Sequence, residues 1–569
     1  MGKLTVIDFF CGAGGFSEGF RQQGFEIVTG IDSWQPAVDT FNHNFGLNCI
    51  VKNILDFENS IEEIESLPDT DVIIGSPPCV SFSNSNISGK ADKAPGVLLI
   101  KTFLRIIAVK KLQKKSKLKA WFMENVTNSK KHLKDYYTLK DLGLSKWAIK
   151  NGYSPKKVVI STNDWSVVIN SAEYGSPQIR KRVITGEIIG QGKFILPAKT
   201  NKLLNAEGNL PDAPTLNYIA RSIPRPNVKK SSRRIIDPLY PEISIPLNQI
   251  SDHFYDTGLY KCQWKNSYFM KRNHPYMGRM AFPENKKKPS RTVTATNIGT
   301  SREAIIYISE YNRTGDGEYR VPTVREMACL MGFPITYQFL GGSESSKCRL
   351  VGNAVCPSVS RALAKTIRQQ MNLRNIARPI VQIDTKNKGF FNLNTFAEKP
   401  FDKPPQKNKG SRFRRHPFKY GNITVTLSNY DIIDGDSSGK WITSVQYGNG
   451  EGFPYSSYPD NFYKKVEAMI SGFERGNEFI DIISNGFLEK IATRKKLQDM
   501  YEAQKSQLPL LEPTELIEEV ARIIDSFSFK DPLLSQNKEV VFTHKKTVPK
   551  KQLMALYTIN RIASSANMK

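Results

Sequence analysis

Acidic residues are in short supply in this 569-residue chain, where 54 Asp and Glu face 81 Lys and Arg for a formal charge of +27. An excess of that size points to a polyanionic partner, nucleic acid first. Charge by itself also fits an anionic membrane surface or plain solubility. Long apolar runs are missing. None approaches the ~18 residues needed to cross a bilayer, and the mean hydropathy is −0.40, so an integral membrane protein is excluded. Cysteine is sparse: the seven (Cys11, Cys49, Cys79, Cys262, Cys329, Cys348, Cys356) are scattered, odd in number and form no C-x-x-C pair. That pattern excludes a disulfide framework and a zinc site, and it favours a reducing compartment. The first residues, Met1-Gly2-Lys3 running directly into Leu4-Thr5-Val6-Ile7, read as an opening strand and lack the small-residue cleavage site of a signal peptide. What is present is 39% hydrophobic and 10% aromatic residues, enough for ordered cores. At ~150 residues per domain the length predicts two to four domains.

Residues 1–190 alternate short apolar runs with longer amphipathic segments. Strands are expected over 4–9, 26–31, 72–74, 121–123 and 182–186, and helices over 16–23 and 98–111. This alternation is the pattern of a mostly parallel sheet covered on both faces. From about 190 to 288 the pattern gives way to Pro, Asn, Ser, basic residues and interleaved aromatics. Regular elements return at 291–295 and 304–308, followed by helices at 324–331 and 355–369. A basic stretch from Glu398 to Lys419, holding Pro400, Pro404 and Pro405, reads as a linker. Strands at 422–427 and 441–447 then lead into a mainly helical remainder. There is no internal repeat and no long low-complexity tract.

A strand runs into Asp8-Phe-Phe-Cys-Gly-Ala-Gly-Gly15 and then into a helix. Gly12, Gly14 and Gly15 would let backbone approach a ligand, with the helix N-terminus aimed at it; a tight turn with no ligand is the alternative. Asp32 ends the next strand, where a carboxylate could accept both hydroxyls of a ribose. The glycines do not fit G-x-G-x-x-G, and no basic residue is placed to hold a pyrophosphate. A nucleoside without a diphosphate fits better, and S-adenosylmethionine is the common one.

A second apolar strand, Asp71-Val-Ile-Ile-Gly75, leads through Ser76 and the rigid Pro77-Pro78 step to Cys79 at the carboxyl edge of the sheet, where ligands of open α/β sheets bind. An exposed thiolate beside positive charge is a strong nucleophile; a buried structural cysteine is the bland reading. The strand Trp121-Phe-Met-Glu124-Asn125 ends in a carboxylate that could act as a general acid toward a ring nitrogen, or merely cap a helix. Gln178, Arg180 and Arg182 alternate along an extended segment, so they share one face. That face suits an oxygen of a base or a phosphate, or forms a charged edge strand.

These segments together resemble the cytosine-C5 DNA methyltransferase family, in the family's order: Asp8-Phe-Phe-Cys-Gly-Ala-Gly-Gly15, Pro77-Pro-Cys79, Glu124-Asn-Val126, Gln178-Ile-Arg-Lys-Arg182, Arg291-Thr-Val-Thr-Ala295, and Arg325 to Pro334 with Gly352-Asn-Ala-Val355. The resemblance covers residues 1 to about 370. It implies a Rossmann-like S-adenosylmethionine-dependent sheet (α/β, 1–190 and 289–370), an inserted irregular target-recognition domain (191–288), a linker (371–421) and a mixed, mainly helical accessory domain (422–569). It implies Cys79 as the nucleophile toward carbon 6 of cytosine and Glu124 as the acid at N3, with Arg182 near O2 and Arg180 supporting that site. The base would be flipped out of duplex DNA. Cofactor contacts are implied for Asp8, Phe10, Cys11, Gly12, Ala13, Gly14, Gly15, Asp32, Asn53, Ile54, Pro77, Asn353 and Val355, and DNA contacts for Ser81, Ser83 and Gln178. Three departures stand out. Val80 follows the nucleophile where the family usually has glutamine, Asn53-Ile54 stands where Asp-Ile is frequent (Asp56 is the runner-up), and Cys11 occupies a small-residue position with no catalytic role assigned.

The resemblance assigns sequence reading to 191–288, where Arg221, Arg225, Lys229, Lys230, Arg233 and Arg234, then Lys271, Arg272 and Arg279, supply phosphate attraction and candidate guanine readers. Most should position the backbone and a few should read bases. Between Glu398 and Lys419 eight basic residues face two acids, which fits a DNA-contacting or a solvated linker. The tail shows no convincing acidic pair followed by E-x-K, and only His416 and His544 are available for a histidine-metal centre, so an accessory DNA-binding or docking domain is expected before a nuclease. The expected protein is a monomeric, cytoplasmic, nucleoid-associated enzyme without a metal. It would modify double-stranded DNA in restriction–modification or other phage defence. An RNA-directed enzyme and a catalytically silent DNA-binding protein are the alternatives.

Overall fold

The computed structural model describes residues 2–78, 94–191, 195–272, 280–311, 313, 318–374, 376–382, 390–398, 415–420, 423–429, 440–447, 455–456, 458–503, 505–535 and 547–568. Two compact units divide the chain, the first made of Met1–Ile87 and Asp92–Pro404 and the second including Pro405–Lys569.

In the first unit, strand β1 (Thr5–Phe9) leads to helix α1 (Gly15–Gln22), β2 (Glu26–Ile31), α2 (Gln35–Phe45), two short helices α3 (Asp56–Asn59) and α4 (Ile61–Ser66), and β3 (Val72–Gly75). Then come α5 (Ala94–Leu112), β4 (Ala120–Asn125), the hairpin β5 (Tyr136–Thr138) and β6 (Val158–Ser161) with α6 (Ser145–Lys150) between them, β7 (Ser166–Asn170) and β8 (Lys181–Ile188). The main sheet has the order β2-β1-β3-β4-β8-β7. β2, β1, β3 and β4 pair in parallel, whereas β8 is antiparallel to both neighbours. β1 neighbours both β2 and β3, so successive crossovers leave it in opposite directions. The carboxyl ends of β1 and β3 therefore flank the point where an open α/β sheet leaves a crevice.

The strands are apolar on both sides because both faces are covered. Val6, Val72, Ile74, Phe122 and Ile184 join one core, while Ile7, Phe9, Ile73, Trp121 and Met123 join the core that also receives Ile100, Phe103 and Ile107 of α5. The first half of the recognition segment belongs to the former core, through Leu216, Tyr240, Ile243, Ile250 and Phe254. That first half also carries α7 (Leu216–Ser222), and the second half carries α8 (Lys261–Arg272). Near it a small cluster forms from Leu259, Ala304, Ile306 and Val321 with Trp264, Phe282 and Tyr319 against it.

α9 (Val324–Met331), α10 (Glu344–Asn353) and α11 (Pro357–Gln370) close the unit. α9 starts in a reciprocal cap: Thr323 accepts from the Glu326 backbone and Glu326 accepts from that of Thr323. The regular element expected at 291–295 has no ladder. Its polar groups are taken by other partners: Val293 N–H donates to Gln178 Oε1 at 2.9 Å and the Thr292 hydroxyl donates to the Ile179 carbonyl at 2.9 Å.

The beginning of the expected linker is held on this unit. Ile380 N–H donates to the Gln22 carbonyl, Arg21 donates to Gln382, and the Asn392 and Asn394 side chains accept the backbone N–H groups of Asp252 and His253. Amide side chains supply three of these four bonds, which is why composition gave no sign of order.

The second unit holds a four-stranded antiparallel meander, β9 (Arg415–Tyr420), β10 (Ile423–Asn429), β11 (Trp441–Tyr447) and β12 (Tyr455–Ser456), with helices following. β9 lies inside the stretch read as linker. Its basic composition hid an alternation that puts His416 and Phe418 in the core. The last helix (Lys550–Met568) packs on this sheet, and Asn567 clamps both backbone polar groups of Trp441, accepting at 2.9 Å and donating at 2.7 Å.

Candidate active site

The chain turns sharply after β1. Phe10 takes φ 54°, Gly12 φ 51° and Gly14 φ 86°, left-handed conformations that glycine adopts without strain and phenylalanine does not. The two glycines serve different needs. A Cβ on Gly14 would lie 2.5 Å from Phe45 and 2.7 Å from the Tyr337 hydroxyl, so Gly14 is a packing requirement; a Cβ on Gly12 would meet nothing closer than the Phe10 carbonyl at 3.9 Å. Cys11, Ala13, Gly14 and Gly15 are buried, and Phe10 and Gly12 are half-buried. Of this turn, Phe10 and the Gly12 backbone are what a ligand can meet directly; the other four could contribute backbone alone.

Asp32 reaches back to the turn. Its Oδ2 accepts Gly12 N–H at 2.9 Å and its Oδ1 accepts Trp34 N–H at 2.9 Å. Each carboxylate oxygen keeps a lone pair for a hydroxyl donor. Burial pushes the Asp32 carboxyl up, against the backbone donors of Trp34 and Gly12. Lys52 N–H donates to the Asp32 carbonyl, which brings Asn53 and Ile54 beside the same loop. Ile54 is buried, while Asn53 is exposed and its Oδ1 accepts Leu55 N–H at 3.0 Å. Asn353 is exposed at the end of α10 and Val355 is buried. The Arg349 guanidinium, on the same helix, lies 4.6 Å from the centre of the Trp34 ring.

Beneath the turn, Asp8 is fully buried. The Ser17 hydroxyl donates to its Oδ2 at 2.7 Å, and its Oδ1 has no hydrogen-bond partner among the described residues. Burial first, and the nearby Asp32 charge with it, push the Asp8 carboxyl up to about 8, against the Ser17 bonds. The open backbone at Gly12 and the pair of carboxylate acceptors at Asp32 fit a nucleoside such as that of S-adenosylmethionine.

The Asp8 shift has a consequence for stability. The folded carboxyl holds its proton up to about 8 and the unfolded one only to ~3.9, so the stabilisation is complete below the unfolded value and is lost as pH rises through the folded one. Thermal melts of wild type and Asp8→Asn should therefore diverge between pH 5 and 8. The variant should gain relative to wild type by at most ~1.4 kcal/mol per pH unit. A wild-type-to-variant difference that is flat across this range would refute the protonated carboxyl.

Glu124 ends β4 and is buried. Its Oε1 pairs with Arg182 Nε at 3.1 Å and its Oε2 accepts the Ser76 hydroxyl at 3.2 Å. The buried Arg180 donates from Nη1 to the Val293 carbonyl and from Nη2 to the Ala354 carbonyl, both at 3.1 Å. It thereby ties the returning chain to the sheet. Glu124, Arg180, Arg182, Ile169, Ser171 and Val355 line one small crevice. Pro77 is buried, and its carbonyl accepts the Asn125 side chain at 3.2 Å. Cys79, Ser81 and Ser83 lie outside the described residues.

Gln178, expected to touch DNA, has no exposed side chain in this structure. It is fully buried, its Nε2 donates to the Leu330 carbonyl at 3.1 Å and its Oε1 accepts Val293 N–H. Alternation placed it correctly on the face of Arg180 and Arg182 but could not show that α9 and the 290–293 return cover that end. Lys271 is buried as well, donating to the carbonyls of Arg302 and Ala304, and burial lowers it to about 7.

Arg221, Arg225, Arg233, Arg234 and Arg272 are exposed. Arg234 is tied to Ser244, whereas Arg272 stacks over Tyr268 at 5.5 Å. Arg279 lies outside the described residues. Among the described residues, no helix is long and apolar enough to cross a membrane.

Ser17, Ser76 and Arg349 were not legible beforehand as site residues. Arg349 alone carried a signal, standing four positions before Asn353 and so on the same helical face.

The sequence pattern of the family described as C-5 cytosine-specific DNA methylase matches residues 4–369. Among similar proteins, the type II methyltransferase M.MthTI of Methanothermobacter thermautotrophicus is 28% identical over 383 residues, covering 65% of this chain and 98% of that protein. M.HgiDI of Herpetosiphon aurantiacus is 26% identical over 375 residues, covering 65% of this chain and 96% of its own length. M.NgoFVII of Neisseria gonorrhoeae is 29% identical over 395 residues, with 64% and 86% covered. The chain belongs to the C-5 cytosine-specific DNA methylase family, whose enzymes transfer the methyl group of S-adenosylmethionine.

Proposed function

We propose that the protein methylates carbon 5 of a cytosine flipped out of a specific duplex DNA site, through a transient bond to Cys79. The observation that carries this reading is the meeting of Glu124, Arg182 and Arg180 at the carboxyl edge of the sheet that also bears the β1 turn and Asp32. Carbon 5 of cytosine is too weak a nucleophile to be alkylated unaided. The Cys79 thiolate adds to carbon 6, the ring electrons move toward N3, and Glu124 holds the proton there. Arg182, with Arg180 behind it, faces O2. S-adenosylmethionine, when bound, supplies an electrophilic methyl group for carbon 5. Loss of the carbon-5 proton then returns electrons to the ring and breaks the sulfur–carbon bond. Those ring atoms are inaccessible inside a duplex, so the base must leave the stack.

Phe10, Gly12, Asp32 and the segment at Asn53-Ile54 hold the cofactor, with Asn353 at its rim. The exposed arginines Arg221, Arg225, Arg233 and Arg272 engage DNA. The type II names of the relatives support a role in restriction–modification or another phage defence.

Incubation with tritiated S-adenosylmethionine and either duplex DNA or transfer RNA tests the substrate: label is expected in DNA, and label in RNA alone refutes the reading. Within the recognition segment, Arg272→Ala should relax the choice at one base pair by ~1–3 kcal/mol while leaving cofactor affinity unchanged. Bisulfite sequencing of a methylated plasmid reads that change. An unaltered site profile would remove Arg272 as a base reader.

A further inference from the structure

We propose that Ser76 is a positioning residue for Glu124. Its hydroxyl keeps the carboxyl group from folding onto Arg182. The inference rests on the proposed role of Glu124 as the acid at N3.

The two oxygens of Glu124 are held from two different elements. Oε1 meets Arg182 Nε from β8, and Oε2 accepts the Ser76 hydroxyl from the end of β3. Ser76 is itself fixed, because its N–H donates to the Phe9 carbonyl at the end of β1. The strand end behind it cannot shift inward: a Cβ on Gly75 would already stand 2.5 Å from the Phe103 ring. A reciprocal bond, from the Asn125 side chain to the Pro77 carbonyl, closes the clasp between the β3 and β4 ends. Ser76 and Glu124 thus orient each other across adjacent strands, and Pro77 and Asn125 do the same one residue later.

A guanidinium and a carboxylate prefer two parallel hydrogen bonds when nothing opposes them. Here the pairing is through Arg182 Nε, while Arg182 Nη1 donates to the Lys181 carbonyl. Without the Ser76 hydroxyl, the terminal bond of Glu124 turns freely and a two-point pair with Arg182 becomes available. That arrangement uses up both the acid and the arginine that the flipped base needs. The loss falls on the chemical step, since neither DNA nor cofactor contacts Ser76 in this account.

Full-length Ser76→Ala should lower kcat roughly tenfold, part of the 10²–10⁴ that a positioned general acid contributes. KM for DNA, S-adenosylmethionine affinity and the melting temperature should stay near wild type. Ser76→Thr keeps a hydroxyl and should recover most of the rate. The inference is overturned by a wild-type kcat in Ser76→Ala. It is equally overturned if alanine and threonine lose rate alike with a raised KM or a lowered melting temperature, the mark of a purely structural serine. Wild-type protein in the same assay keeps the claims apart: no methylated cytosine from wild type counts against the proposed function, whereas a wild-type rate matched by Ser76→Ala counts against Ser76 alone.

Discussion

Cys79→Ser is expected to bind S-adenosylmethionine and duplex DNA as wild type does, and to transfer methyl groups at least ~10³-fold more slowly. A thiol near pH 7 keeps a few per cent of its population as a strongly nucleophilic thiolate, a share that positive charge beside a thiol raises. A serine hydroxyl has no comparable population near pH 7. Carbon 6 would then stay unattacked and carbon 5 unactivated. A duplex carrying 5-fluorocytosine at the target separates binding from bond formation, because fluorine cannot leave carbon 5 as a proton does. Wild type should accumulate a denaturation-resistant protein–DNA adduct and the variant none. A variant that still forms the adduct, or methylates at the wild-type rate, removes Cys79 as the nucleophile.

Lys347→Ala should destabilise the full-length protein by ~3–5 kcal/mol, a large share of the ~5–15 kcal/mol that folded proteins possess. Lys347 on α10 donates to both oxygens of Asp252 at 2.8 Å, and both side chains are fully buried. Burial lowers the Lys347 ammonium from its ordinary value, with Asp252 opposing the shift. Removing the lysine leaves a buried carboxylate whose remaining hydrogen-bond partner among the described residues is the Leu393 N–H at 3.0 Å. Three parts of the unit meet there. Asp252 belongs to the recognition segment, Lys347 stands on the helix that ends at Asn353, and Asn392 caps the Asp252 N–H from the strap that follows α11. Urea unfolding of the intact chain measures the loss. Lys347→Met combined with Asp252→Asn should be much milder, because it removes both charges and asparagine tolerates the φ of 55° at this position. A Lys347→Ala variant within ~1 kcal/mol of wild type would show the pair to be dispensable.

The parts of the site that could be read in advance are those encoded by short contiguous segments. β1 with its glycines, β3 with its Pro-Pro step and β4 ending in Glu124 each combine an apolar run with punctuation at its carboxyl end, and the sheet delivers all three to one edge. What could not be read depends on what covers a residue. Gln178 and Lys271 carry the chemistry of DNA contacts and are buried under distant chain. The segment at 291–295 has strand-like residues but is pinned by Gln178 and Arg180 side chains, a role no periodicity records. The strap at 390–394 owes its place to two asparagines, and β9 to an alternation masked by arginine and proline. Ser76 had no sequence signal, since its partner stands on another strand.

The most direct test of the account is nucleoside mass spectrometry of duplex DNA after incubation with the protein and S-adenosylmethionine. The account predicts 5-methyldeoxycytidine as the new nucleoside, absent when Cys79→Ser or Glu124→Gln replaces the wild type. N4-methyldeoxycytidine, N6-methyldeoxyadenosine, or undiminished 5-methyldeoxycytidine from both variants would contradict it.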